Sequence, residues 1–345
     1  MALRTYLDWN ATTPLRAEAR AAMIAAMDVV GNPSSVHAEG RAAKSLMERA
    51  RAEIAAALGA DGADIVFTSG ATEAAALACA GRDLACAEVE HDAVLAWCAP
   101  SLPVDSAGQV TVADPARSAL QYANSETGIL QTLPEGLAVS DLTQAFGKVP
   151  LAFNWLGAEM ALVSAHKLGG PKGIGALVVK QGRDIAAQLK GGGQEMGRRA
   201  GTENLIGIAG FAAAATAAMH DLAEGVWERV NGIRNILESA LLADGNWTIS
   251  VGKGGPRLPN TLCLVTPGWK GETQVMQMDL AGFAISAGSA CSSGKVRASR
   301  VLRAMGMGEG DAASAIRVSI GPGVTEEDVL RFAEAFTKAR ARRRN

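Results

Sequence analysis

The chain has 345 residues, 48% of them hydrophobic and 20% charged, with a formal net charge of −2. That length holds roughly two domains, the composition excludes a disordered chain, and the near-neutral balance argues against nucleic acid as a direct partner. Five cysteines, Cys79, Cys86, Cys98, Cys263 and Cys291, form an odd set without Cys-x-x-Cys spacing. This points to reduced thiols in a cytoplasmic compartment, and against a disulfide framework or structural zinc.

In chain order, the residues from Met1 to Asp8 lack the apolar segment of a secretory signal. Apolar runs predict strands at 65–69, 87–90, 120–124, 138–141, 161–165 and 176–180. Helical patterns are read at 38–58, 72–80, 92–97 and 204–222. The alternation predicts a doubly wound, mainly parallel sheet with helices on both faces. The most apolar stretch, 208–219, is alanine-rich and about half the length of a membrane span, so it reads as a buried helix. After about Gly225 the pattern changes to a helix at 226–242, short strands at 248–251, 261–265, 284–287 and 315–320, and a last helix at 326–342. That is the signature of a smaller α+β domain. The basic cluster from Lys338 to Arg344 reads as cations complementing the carboxyl end of that helix.

In a doubly wound sheet, ligands bind beyond the carboxyl ends of the strands. Ser69-Gly70-Ala71-Thr72, Asn124-Ser125, Asp141 and Ser164-Ala165-His166-Lys167 all fall there. Gly70-Ala71-Thr72 turns a strand into a helix N-terminus, a seat for phosphate, although Thr72 taken alone reads more readily as an ordinary helix cap. Lys167 follows an apolar strand and precedes Gly169-Gly170-Pro171, a sharp break. Partial desolvation at such a place favours a neutral, nucleophilic amine able to condense with an aldehyde.

Five segments together carry a resemblance. They are Tyr6-Leu7-Asp8-Trp9-Asn10-Ala11-Thr12-Thr13-Pro14, Phe67 to Glu73, Ser164 to Lys167, Gly191 to Asn204, and Ser286-Ala287-Gly288-Ser289-Ala290-Cys291-Ser292-Ser293. In this order the chain resembles the cysteine desulfurases of the NifS/IscS type, pyridoxal-phosphate enzymes of the class V aminotransferase group. The resemblance implies fold type I, with a seven-stranded-type sheet. Residues 14–224 would form the large domain, and 1–13 with 225–345 the small one. It implies that Lys167 carries the cofactor, and that Ala71, Thr72, Ser164 and His166 hold its phosphate with Thr202 reaching across from a partner subunit in a homodimer. Asp141 would pair with the pyridine nitrogen, Gln144 and Ser125 with the ring hydroxyl, Asn124 would also bind the cofactor, and His91 would stack on the ring.

The same resemblance gives Arg317 the carboxylate of the substrate L-cysteine, a task suited to a bidentate guanidinium. Cys291 would take the sulfur as a persulfide and pass it to an acceptor protein. Its glycine- and serine-rich surroundings suit a reactive thiol, with Lys295 and Arg297 favouring the thiolate. Ser125 stands where the family commonly has a second asparagine. A selenocysteine lyase, an aminotransferase, and a weakened partner-binding subunit are the alternative readings.

Overall fold

The computed structural model describes residues 4–243, 245, 247–288 and 298–342. Cys291, Lys295 and Arg297 lie outside the described residues. After β1 (Thr5–Tyr6), the first two thirds of the chain contribute β2 (Asp64–Thr68), β3 (Ala85–Cys86), β4 (Ala99–Pro100), β5 (Ala119–Gln121), β6 (Val139–Asp141), β7 (Met160–Ser164) and β8 (Gly175–Val179). Five of them form one sheet in the order β2-β8-β7-β6-β5. β5, β6 and β7 run parallel, whereas β8 is antiparallel to both β7 and β2. The stretch from Ser164 to Gly175 is shorter than the dozen or so residues a parallel crossover needs, so β8 has to return alongside β7. β3 and β4 pair in parallel, and a bridge from Ala85 to Ser118 sets them beside β5.

Alternation along these strands splits the apolar side chains between two layers. Ile65, Phe67, Ala161, Val163, Ala176 and Val178 face a core shared with the helices Ala38–Ala57 and Leu205–Ala223. Val66, Met160, Leu162, Leu177 and Val179 face the opposite core, which the helix Ala71–Cys79 covers. The helix Leu205–Ala223 matches the one read at 204–222 to within a residue at each end. Its 19 residues are long and apolar enough to cross a membrane, but Ile208, Phe211, Ala214, Ala215 and Ala218 are packed in the core. Asn204 caps it by accepting from Gly207 N at 3.0 Å.

Other differences have local causes. The strand expected at 87–90 is a turn, and pairing occurs earlier, at Ala85–Cys86. Ala87 and Val89 are buried all the same, which explains the apolar run. The helices Ala17–Met27 and Gly271–Leu280 were not legible, being rich in alanine or mixed in character.

The last third adds β9 (Ile249–Ser250), β10 (Thr261–Val265), β11 (Phe283–Ala284), β12 (Ser286–Ala287) and β13 (Ala315–Ser319). An antiparallel sheet in the order β12-β13-β10-β9 packs Leu262, Leu264, Ile316 and Val318 into a separate core with the helices Val226–Leu242 and Glu326–Ala341. β1 pairs with β11, Leu7 enters this same core, and Asp8 bridges Ser319. The segment after β1 therefore runs along the small sheet and crosses toward the large one at Asn10.

Candidate active site

A cavity of about 720 Å³ opens at the carboxyl ends of β2, β6 and β7, within the range of roughly 300–1,000 Å³ usual for small-molecule sites. Lys167 lines it from the 3₁₀ turn that follows β7. Its Nζ donates to the carbonyls of Asn10 at 2.6 Å and Ala11 at 2.9 Å. The amino-terminal crossing clamps the same turn. Thr13 donates through N and Oγ1 to His166 O, both at 2.9 Å, and Arg16 donates from Nε to Leu168 O at 2.8 Å. Gly169 adopts φ +94°, and a Cβ there would stand 2.4 Å from Arg16 Cγ, so only glycine lets the arginine lie across the turn. His166 meets Thr12 Oγ1 at 3.1 Å. Burial, with Lys167 and Lys172 nearby, pushes its pKa down to about 4, so its imidazole is neutral at neutral pH.

On the far side, Ser69, Gly70, Ala71 and Thr72 line the cavity at the start of the helix Ala71–Cys79. The N-cap is Gly70 and no side chain caps the turn, which leaves backbone N–H groups to receive an anion. Thr72 is inside the helix, so it is not the cap. Gly175 permits this placement, because a Cβ on it would be 2.8 Å from Gly70 Cα and 2.5 Å from Val163 O. Ser164 and Lys172 complete this wall. Arg199 pairs with Glu73 of the same helix at 2.7 Å.

Asp141, at the end of β6, lines the cavity and accepts from Thr143 N at 2.8 Å. Gln144 lines it one turn further on. His91 lines it too, and its Nδ1 accepts from Ala93 N at 3.1 Å, which places the ring proton on Nε2. Arg317, on β13, brings the small sheet to the cavity. Its guanidinium pairs with Asp8 at 2.7 Å and donates to Ser125 O at 3.2 Å, while Nε has no partner among the described residues. Asp8 in turn accepts from Ser286 Oγ at 2.8 Å.

Two expected residues lie elsewhere. Asn124 does not line the cavity. Its Oδ1 accepts from Glu126 N, Thr127 N and Thr127 Oγ1 at 2.8–3.0 Å, and its Nδ2 donates to Val89 O at 3.0 Å. The side chain is consumed by the turn that presents Ser125, which does line the cavity. Thr202 is exposed and away from this cavity. Asn10, Thr12, Lys172 and the buried Lys148 were missed. Asn10 and Thr12 were inside a recognised motif without an assigned task, and nothing in Gly147-Lys148-Val149 signals burial.

Residues 5–99 and 109–332 match the aminotransferase class-V family, and the chain belongs to it. It is 37% identical to a cysteine desulfurase of Cereibacter sphaeroides, covering 96% of this chain and 95% of that one. With the cysteine desulfurase IscS of Dictyoglomus turgidum it shares 34% identity over 95% and 92% of the two chains. Among solved structures, a NifS-like protein from Rickettsia africae superposes with a TM-score of 0.88 at 31% identity, covering 98% and 99%. The fold is therefore that of the NifS-like, fold type I enzymes, and the cofactor of the class is pyridoxal phosphate. The donor set fits that group. An uncapped helix start with Ser164 and His166 suits a phosphate, Asp141 suits a protonated pyridine nitrogen, and Lys167 an aldehyde.

Proposed function

We propose that this chain is a pyridoxal-phosphate-dependent cysteine desulfurase, which converts L-cysteine to L-alanine and carries the sulfur on Cys291 as a persulfide. Lys167, Asp141, His91 and Arg317 lining one cavity is the observation that supports this most, alongside relatives of that name over nearly the whole chain. When bound, the cofactor supplies an electron sink for the substrate's α-carbon. The chain's own residues do the rest. Ala71, Thr72, Ser164 and His166 would hold the phosphate, Asp141 would keep the ring nitrogen protonated, and Ser125 and Gln144 would meet the ring hydroxyl. Arg317 would take the substrate carboxylate through the edge bearing Nε, which has no partner among the described residues. His91, with its proton on Nε2, would hand protons to and from the substrate. The Cys291 thiolate attacks the substrate sulfur. The carbon–sulfur bond breaks, a sulfur–sulfur bond forms, and alanine leaves after gaining a proton.

In this reading residues 14–224 bind the cofactor, and 1–13 with 225–345 close over it. The working form is a cytoplasmic homodimer, Thr202 reaches the partner subunit's phosphate, and an acceptor protein takes the sulfur for iron–sulfur cluster assembly or tRNA thiolation. The test is to mix the holoenzyme with L-cysteine and a thiol reductant and measure alanine and sulfide together. Cys291→Ala should bind cofactor normally and lose alanine formation by orders of magnitude. Near-normal alanine release from that variant, or persulfide on a different cysteine by mass spectrometry, refutes the reading.

A further inference from the structure

Lys148 lies behind the cavity and is 1% exposed, yet its amine is connected to the site. Nζ donates to Gln144 Oε1 at 2.7 Å and to Asn10 Oδ1 at 3.3 Å. The charged groups acting on it among the described residues are Lys167 and Arg317, both cations, and these with burial push its pKa well below the ordinary lysine value. No step proposed above uses this buried amine.

Its geometric effect falls on Gln144. The Gln144 Nε2 donates to Asn10 O at 2.9 Å, and a carbonyl oxygen only accepts, so Nε2 has to face that side. Lys148 holds the other end of the amide at Oε1. Asn10 cannot yield, because each of its polar atoms is engaged. Its N donates to Ser319 Oγ at 2.9 Å, its Nδ2 to Thr261 Oγ1 at 2.8 Å and Ser125 O at 3.2 Å, and its Oδ1 also accepts from Asn260 Nδ2 at 3.1 Å. With both ends fixed, the second hydrogen of Nε2 is what Gln144 has left for the cavity it lines.

We propose that Lys148 is a positioning residue that acts through Gln144, locking the amide so that its NH₂ group donates to the ring oxygen of bound pyridoxal phosphate. This rests on the assignment of Gln144 to the cofactor. A donor at that oxygen stabilises negative charge on it and so favours the less protonated form of the bound cofactor. Without Lys148, Oε1 is left buried with no donor, which is costly, and the amide turns to satisfy it. The donation to the ring is then lost.

The experiment titrates the visible absorption of the holoenzyme against pH in four forms: unmodified, Lys148→Met, Gln144→Leu and the double variant. Borohydride reduction with mass spectrometry confirms the cofactor on Lys167 in each. Lys148→Met is expected to raise the midpoint by about one pH unit, a tenfold change in proton affinity. Gln144→Leu should raise it similarly, and the double variant should add nothing further. A role confined to packing would lower the melting temperature and leave the midpoint in place. If Gln144→Leu moves the midpoint and Lys148→Met does not, the Lys148 inference fails alone. If neither moves it, the assignment of Gln144 fails. A Lys148→Met shift that persists in the Gln144→Leu background shows direct action and overturns the proposal. Lys148→Leu carries the same comparison if the methionine variant does not fold.

Discussion

Asp8→Asn separates what holds Arg317 from what Arg317 binds. The guanidinium is 4% exposed and its NH2 lies 2.7 Å from Asp8 Oδ1, so the pair is buried on the cationic side. At an effective dielectric near 20, two charges about 4 Å apart interact by roughly 4 kcal/mol, and removing one partner of a buried pair costs about 3–5 kcal/mol. Asparagine keeps an acceptor toward Arg317, so the expected loss is about 2–3 kcal/mol of unfolding free energy. The cation left unpaired should welcome another carboxylate. L-alanine, which offers the carboxylate but no sulfur, should therefore raise the melting temperature of the variant more than that of the unmodified protein. Urea titration gives the first number and thermal melts over a range of alanine concentrations give the second. Unchanged stability would mean that solvent already screens the pair. An equal or smaller alanine effect in Asp8→Asn would refute Arg317 as the carboxylate site.

Lys167→Ala should remove cofactor fixation altogether. Borohydride treatment of the unmodified holoenzyme should label only the peptide holding Lys167, and a label on Lys148 or Lys172 would refute the assignment. Burial lifts the Glu126 carboxyl to about 7, although Ser299, Arg317 and Arg300 pull the other way. Because the folded value lies above the ordinary 4.5, this group's contribution to stability is present below pH 4.5 and is lost as pH rises through about 7. Glu126→Gln should flatten that decline in urea titrations, and an unaltered slope would show that the carboxyl titrates elsewhere. Cys263 is fully buried in the core and has no role in the proposed reaction, so Cys263→Ala should cost about 1–3 kcal/mol while alanine production per folded molecule is retained.

Much of the site was legible because it is local. A residue at the carboxyl end of a strand in a doubly wound sheet has its position set by the strand it follows, so Asp141, Ser164 and Lys167 could be placed from their own neighbourhoods. The helix start at Ala71 was legible for the same reason, since a glycine turn leading into an alanine-rich run leaves few alternatives. Errors came where burial did not require a strand. Ala87 and Val89 are apolar because they sit under the site, where the Val89 carbonyl accepts from Gln121 Nε2 and Asn124 Nδ2 at 2.9 and 3.0 Å. Asn124 marks the limit of such reading, because an asparagine beside a site looks the same in sequence whether it meets the ligand or shapes the turn.

The illegible part is what distant segments build together. Asn10 touches Gln144 and Lys148 of the large sheet's loops, and Asn260, Thr261 and Ser319 of the small sheet, a convergence no local pattern encodes. That convergence also gives the amino-terminal crossing a physical task. It carries the carbonyls that hold Lys167 and Gln144 on one side, while on the other Asp8 grips the arginine of the small sheet. A shift of the small sheet relative to the large one would reach Arg317 and Asn10 together, because one backbone segment ties both. The lysine assigned to the cofactor and the arginine assigned to the substrate are thus set in register by residues 8 to 13, not by either sheet alone.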